Sequence, residues 1–182
     1  MFGGPHLNRS RRQHASSYGL PITVLIIFPS LILYLTNDTT IGWNIHPVID
    51  TMLLVLGIAL TLSGLTLLFV TVRMFSNIGN GTLAPWAPPE KLVIEGLYAR
   101  TRSPMISGVL IALLGEGFTF SSFWILFFFV FFTIGNHIYF IKSEEPGLVK
   151  RFGDAYIEYK ENVPRWIPRR TPWTPDYESK ES

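Results

Sequence analysis

Two adjacent glutamates, Glu144 and Glu145, follow directly after a long apolar run in the segment KSEEPG. Two acids at the end of an apolar run are costly if buried and ordinary if solvated, so a helix end in water is one interpretation. The other is recognition of a cation or an amine, because a carboxylate attracts a positive ligand more strongly as water is excluded. The pair is therefore a candidate binding site for a positively charged group.

A second candidate is the segment TRSPMISG, residues 101–108, which enters the preceding apolar run. Pro104 suits the first position of a helix, and the free N–H groups after it can bind an anionic group. Arg102 is able to hold a carboxylate there, or to extend towards lipid phosphates as an interfacial arginine. Gly79 and Gly81 allow a ligand to approach the backbone closely, or simply make a flexible loop.

Polar residues lie inside the apolar runs, among them Glu116, Asn136 and His137. Ionisable groups at membrane depth are functional candidates. Counted from the turn at Ser121 and Ser122, Glu116 and His137 lie at different depths, so we do not pair them. The chain has no cysteine, and a histidine without partners makes a poor metal site, so we predict no metal.

Four apolar runs position these candidates. Of the 182 residues, 48% are hydrophobic and 15% charged, which is too apolar for an ordinary soluble domain. A hydrocarbon core of about 30 Å needs roughly 20 helical residues. The sequence predicts an all-α integral membrane protein of one domain, 1–182, with four transmembrane helices at 20–36, 47–72, 104–120 and 123–141. Only two serines separate the last two runs, which predicts a tight helical hairpin.

Charge predicts the orientation. All 15 Lys and Arg residues lie in the N-terminal segment 1–19, the loop 73–103 or the tail 142–182. With four spans these three segments share one side, and the positive-inside rule places them, with both termini, in the cytoplasm. The basic residues are dispersed and do not alternate with stacking aromatics, so we predict no nucleic-acid partner.

The cytoplasmic segments differ in their patterns. Glycines and prolines break any helix in the loop 73–103, and its stretch KLVIEGLY is predicted to be ordered and extended. In the tail, from Glu144 to Val163, apolar residues spaced by four, four, three and four positions predict one amphipathic helix; they are Leu148, Phe152, Tyr156, Tyr159 and Val163. Such a helix either rests on lipid headgroups or packs as a lid against the bundle.

The segments GLYARTRSPMISG and EEPGLVKRFGDAYIEYKENVPRWIP together resemble the isoprenylcysteine carboxyl methyltransferase and phospholipid methyltransferase superfamily over about residues 75–168. The resemblance implies S-adenosylmethionine as methyl donor, bound on the cytoplasmic side without a soluble Rossmann domain. By position it also implies these cofactor-site residues: Leu92, Val93, Tyr98, Arg102, Ser103, Pro104, Met105, Ile106, Glu144 and Glu145, with Gly79 and Gly81 as the glycine pair of the phospholipid enzymes.

The chain departs from the superfamily pattern at three positions. Ser103 stands where histidine or asparagine is usual, and Ile106 where tyrosine is usual. Phe140 stands where the isoprenylcysteine enzymes carry an arginine that grips the substrate carboxylate, so methylation of a prenylated cysteine is not supported. Asn136, His137 and Phe140 are predicted to line the substrate pocket.

The sequence and the resemblance together predict a multi-pass membrane methyltransferase that acts on a lipid-like or amphiphilic acceptor at the cytoplasmic face. The changes at Ser103 and Ile106 leave an alternative open, a non-catalytic lipid-binding or subunit protein that keeps the fold.

Overall fold

The computed structural model describes residues 19–37, 41–78 and 92–175. Within these ranges the chain is helical, with turns and no strand. The helices are α1 (Gly19–Thr36), α2 (Pro47–Ile78), α3 (Pro104–Thr119), α4 (Phe123–Phe152) and α5 (Asp154–Asn162). Two of them contain a π-helical turn, α1 at Thr23–Ile27 and α4 at Phe140–Glu144. The prediction of an all-α protein is confirmed.

Three helices of the described part, α1, α2 and α4, are long and apolar enough to cross a membrane. The 16 residues of α3 extend only about 24 Å, so α3 is apolar but shorter than a bilayer core. The large side chains on the outside of the bundle are exposed, among them Phe69, Phe127 and Phe131. An apolar surface of this kind is typical of contact with lipid. The protein is therefore multi-pass, and a fourth crossing stays a prediction.

The helix ends follow local sequence. Pro104 opens α3, where a missing N–H costs nothing. The Ser122 hydroxyl caps α4 by accepting a hydrogen bond from the Ile125 N–H at 3.4 Å. Between these helices Ser121 adopts a positive φ of 50°, which reverses the chain within three residues. At its other end α4 continues past the predicted boundary at residue 141 and reaches Phe152.

Glycines bring α2 and α3 into backbone contact. A Cβ placed on Gly64 of α2 would lie 2.4 Å from the Ala112 backbone nitrogen of α3. A Cβ on Gly115 of α3 would lie 2.4 Å from the Thr61 nitrogen of α2. No side chain fits at either place, so the two helices pack along their length at the closest distance that backbones allow. Small residues serve this purpose in membrane bundles.

α3 is the centre of the bundle. Ala112 and Leu113 are fully buried, and with Val109 they meet α1 and α4 in one hydrophobic cluster. Because α3 is surrounded by its neighbours, its first residues are held in a fixed place at one end of the bundle. Those first residues include the predicted cofactor-site segment 103–106.

The tail does not form the single helix predicted for residues 144–163, and that prediction is wrong. Gly153 adopts a φ of 57°, a left-handed conformation that ends α4 and starts α5 in a new direction. The predicted apolar residues nevertheless pack together. Tyr156, Tyr159 and Val163 are buried in one cluster against the partly buried side chains of Leu92, Ile94, Leu148, Val149, Phe152 and Trp173.

The described part of the stretch KLVIEGLY is ordered but only partly extended. Residues 92–94 have no regular structure, and residues 95–100 form turns. In these turns the Tyr98 N–H donates to the Glu95 carbonyl at 3.1 Å, and the Thr101 N–H donates to the Leu97 carbonyl at 3.0 Å. The segment therefore connects the cluster of Tyr156, Tyr159 and Val163 to the start of α3 through hydrogen-bonded turns.

Candidate functional site

Three segments that lie far apart in sequence meet where α3 begins. They are the loop 98–103, the end of α4 with Glu144 and Glu145, and the tail segment 159–173. Hydrogen bonds and ion pairs join all three. We call this meeting point the junction.

Glu145 is the centre of the junction. Its side chain is 9% exposed, and its carboxylate forms ion pairs with three cations from two segments. Arg102 Nη1 lies 2.8 Å from Oε1, Lys160 Nζ lies 2.7 Å from Oε2, and Arg165 Nη2 also contacts Oε1. A buried carboxylate requires such compensation, because an isolated charge would not remain ionised in a dry site. Glu145 therefore links the loop, α4 and the tail.

The Arg102 side chain makes several contacts with the protein, one of them a hydrogen bond with Tyr156. Besides its ion pair with Glu145, its Nε donates to the Val163 carbonyl at 2.9 Å. The sequence suggested that Arg102 holds a ligand carboxylate, and the structure shows that much of its guanidinium is already used in holding α4 and the tail. Arg165 lies between the same partners, with its guanidinium carbon 5.1 Å from the centre of the Phe140 ring.

Excess positive charge shapes the electrostatics of the junction. Burial lowers the pKa of Arg165, and the neighbouring Arg102 lowers it further, while Glu144 raises it. Arg165 Nη1 is buried and has no hydrogen-bond partner within the described residues. The Glu144 carboxyl group thus lies close enough to interact with Arg165.

Three tyrosines line the same region. Burial raises the pKa of Tyr98, Tyr156 and Tyr159. The Glu144 carboxylate raises the pKa of Tyr98 further, whereas a hydrogen bond with Arg102 partly opposes the rise at Tyr156. These phenols stay protonated at neutral pH and act as hydrogen-bonding groups, as when the Tyr159 hydroxyl donates to the Tyr98 carbonyl at 2.7 Å.

The start of α3 offers backbone donors. Ser103 precedes the helix and is buried, and its carbonyl accepts from both the N–H and the hydroxyl of Ser107 at 3.0 Å. Met105 and Ile106 follow Pro104 in the first turn, where N–H groups have no carbonyl partner within the helix. A negatively charged group fits beside such a turn, especially where the dipole of the helix adds to the attraction.

The structure places the predicted cofactor residues as follows. It brings Tyr98, Arg102, Glu144 and Glu145 together at the junction, with 103–106 beside them. Leu92 packs on the buried cluster of Tyr156, Tyr159 and Val163. Val93, the residue after Leu92, is buried. Gly79 and Gly81 lie outside the described residues.

The three predicted substrate-pocket residues do not share one environment. The Asn136 side chain donates to the Phe132 carbonyl one turn earlier at 2.8 Å. His137 accepts from Trp166 Nε1 at 3.4 Å, and Phe140 is buried with Trp166 edge-on to it at 6.1 Å. Asn136 lines a shallow cleft with Phe131, Phe132, Gly135 and Tyr139. Their role as a substrate pocket stays a prediction.

Sequence reasoning missed Thr101, Lys160 and Arg165 as members of this region. Thr101 is 5% exposed, and its hydroxyl donates to the Arg165 carbonyl at 2.5 Å. A signal was present in the sequence: an acid that becomes buried needs cations, and the tail carries basic residues close behind the Glu144–Glu145 pair.

The described part of the chain is a bundle of apolar helices with a buried group of ion-paired residues at one end, as expected of a multi-pass membrane protein. Residues 51–155 match the phospholipid methyltransferase family, so this chain belongs to that family. The superfamily resemblance inferred from the motifs is thereby confirmed. No curated protein matches the chain significantly. The match covers α2, α3 and α4 with the first residues of α5, and it ends before the tail segment that contacts the loop 98–103.

Proposed function

We propose that this protein is a membrane methyltransferase that transfers a methyl group from S-adenosylmethionine to a lipid-like or amphiphilic acceptor at the cytoplasmic face. One observation carries the proposal. The family match covers the same residues that the fold brings together at one end of the bundle, namely Tyr98, Arg102, Glu144 and Glu145.

The topology we propose has four crossings, with α3 as the third. Two contacts support it at the end opposite the junction. The Gly42 N–H donates to the Ser121 hydroxyl at 3.0 Å, and the Trp43 and Phe123 rings lie 4.6 Å apart. The turn after α3 therefore lies beside the start of α2, so that α3 extends from one end of the bundle to the other. All Lys and Arg residues then lie on the side of the junction, which the positive-inside rule makes cytoplasmic.

The groups at the junction suit the donor. The amino-acid end of S-adenosylmethionine carries an ammonium group and a carboxylate. Glu144 and the tyrosine hydroxyls accept hydrogen bonds from an ammonium, and the first-turn N–H groups of α3 donate to a carboxylate. Glu145 is already neutralised by three cations, which leaves Glu144 as the acid of the pair that is better placed to bind a ligand.

Bound S-adenosylmethionine supplies an electrophilic methyl group on a sulfonium, so the main contributions of the protein are alignment and the exclusion of water. The Glu145 ion pairs hold the loop 98–103 against α4, and the buried cluster of Tyr156, Tyr159 and Val163 packs against Leu92 and Ile94, which precede that loop. An amphiphilic acceptor reaches the same end of the bundle from the bilayer, with its apolar part against the exposed apolar side chains of α4.

The proposal is tested by isothermal titration calorimetry of the full chain, in detergent and in nanodiscs, with S-adenosylhomocysteine. We expect binding, and markedly weaker binding by Glu144→Gln. Failure of the wild-type chain to bind under both conditions would refute the proposal. If the chain binds, transfer of labelled methyl groups into total lipid and protein extracts identifies the acceptor. Binding without transfer to either extract supports the alternative of a non-catalytic protein, which the changes at Ser103 and Ile106 keep open.

A further inference from the structure

The tail segment 163–173 runs along the loop 98–102 and bonds to it at successive residues. The Arg102 N–H donates to the Pro164 carbonyl at 3.0 Å, and the Arg169 N–H donates to the Arg100 carbonyl at 2.9 Å. The Trp173 N–H donates to the Ala99 carbonyl at 2.9 Å. We call residues 163–173 the strap.

Side chains of the loop add to these backbone bonds by donating to carbonyls of the strap. The buried Thr101 hydroxyl donates to the Arg165 carbonyl, and Arg102 Nε donates to the Val163 carbonyl. Arg100 Nη1 donates to the Arg170 carbonyl at 2.6 Å. Every residue of the loop from Ala99 to Arg102 therefore bonds to the strap through its backbone or its side chain.

The loop has few other means of holding its shape. Its first residues belong to the turns 95–100, and it is part of no helix or sheet. Apart from the bonds within these turns, the bond from the Tyr159 hydroxyl to the Tyr98 carbonyl and the contacts of the Arg102 side chain with Glu145 and Tyr156, its polar groups need other partners. Backbone groups in such a loop must be bonded when they are buried, and here the strap supplies the partners. The strap also lies beyond the residues that match the family, which end at 155.

We propose that the strap is a positioning element for the cofactor site, and that Thr101 is the positioning residue through which it fixes the loop 98–103 for binding. This inference rests on the proposed function. Thr101 stands next to Arg102 and two residues before Ser103, so a shift of its backbone displaces the ion pair with Glu145 and the start of α3 together. Arg165 strengthens the coupling, because its carbonyl accepts from Thr101 while its guanidinium contacts Glu145.

A matched pair of variants at Thr101, one without and one with the buried hydroxyl, tests the inference. Thr101→Val keeps the shape of the side chain and removes the hydroxyl, whereas Thr101→Ser keeps the hydroxyl. We expect S-adenosylhomocysteine to bind Thr101→Val about tenfold more weakly, the factor that corresponds to one buried hydrogen bond, and to bind Thr101→Ser within about twofold of wild type. Thermal unfolding of each variant, measured alongside, selects a temperature at which all are folded.

A second pair tests the strap through its backbone. Arg169→Pro removes the N–H that donates to Arg100, and Arg169→Ala keeps that N–H while it loses the side-chain bond to the Asn162 carbonyl. Weaker binding by the proline variant than by the alanine variant supports the inference.

The outcomes separate the two proposals. Wild-type affinity in both Thr101→Val and Arg169→Pro overturns the role of the strap and leaves the proposed function standing. Absence of binding by the wild-type chain overturns the proposed function and this inference with it.

Discussion

The adjacent acids Glu144 and Glu145 should respond very differently to the same substitution. Glu145→Gln removes a buried negative charge and keeps the shape of the side chain. Glutamine retains one carbonyl acceptor but cannot neutralise the cations that now surround the carboxylate. Glu144→Gln makes the same chemical change one residue away, at a half-buried position, and is the matched control.

The size of the effect follows from which cations lose their partner. The Lys160 side chain is 45% exposed and turns into water at little cost. The side chains of Arg102 and Arg165 are 14% and 8% exposed, and both would remain buried opposite an uncharged group. Breaking a buried ion pair from one side costs about 3–5 kcal/mol. That is a large share of the roughly 5–15 kcal/mol that separates folded from unfolded domains.

The assay is thermal unfolding of the purified protein in detergent, followed by circular dichroism. We expect Glu145→Gln to lower the unfolding midpoint by roughly 6–20 °C, since about 1 kcal/mol corresponds to 2–4 °C in domains of this length. Glu144→Gln should leave the midpoint within about 2 °C of wild type and act on ligand affinity instead. A Glu145→Gln protein as stable as wild type would refute the view that this carboxylate holds the junction together.

Three further predictions concern packing and the tail. Gly64→Ala should destabilise the bundle by about 1–3 kcal/mol, because its Cβ would meet the α3 backbone. Gly135→Ala should not, since no atom lies within 4 Å of its Cβ. Thermal unfolding of the two variants in detergent compares them. A chain that stops after the buried Pro175 should match the full chain in S-adenosylhomocysteine affinity, and one that stops after Asn162 should lose binding and unfold at lower temperature. Tyr159→Phe should cost about 1 kcal/mol of unfolding free energy, because the Tyr98 carbonyl loses its 2.7 Å bond, and an unchanged midpoint would contradict this.

Hydropathy predicted where the apolar helices lie because it reports the length of an apolar run. The predicted limits 20–36 and 104–120 differ from the helices by one residue at one end. It did not predict where α4 stops. The apolar run ends at residue 141, and Pro146 and Gly147, residues that often interrupt a helix, follow soon after. The helix nevertheless continues through a π-helical turn at Phe140–Glu144 and reaches Phe152. The end of an apolar run therefore does not mark the end of the helix, which stops only at Gly153.

The motifs contained residues that meet at the junction, but they did not show which of the two acids is buried. Glu144 and Glu145 are adjacent, and neighbouring residues on a helix point about 100° apart, so one of them must face away from the other. Which one becomes buried depends on where Lys160 and Arg165 lie, and that depends on the turn at Gly153 and the course of the strap. These are contacts between residues far apart in sequence, which local patterns do not encode.

If the proposed function is right, the position of the strap gives Arg102 and Glu145 a role in the proposed cofactor site even though they bond to each other. A site at the end of a membrane bundle has solvent on one side, and its loop 98–103 has no regular structure to keep it in place. The Glu145 ion pairs fix this loop to α4, and the strap fixes it from the outside. Glu144 precedes Glu145 in the same helix, so the ion pairs of Glu145 also hold Glu144 in place. On this reasoning the pair of acids combines one residue that maintains the structure with one that is left to bind the ligand.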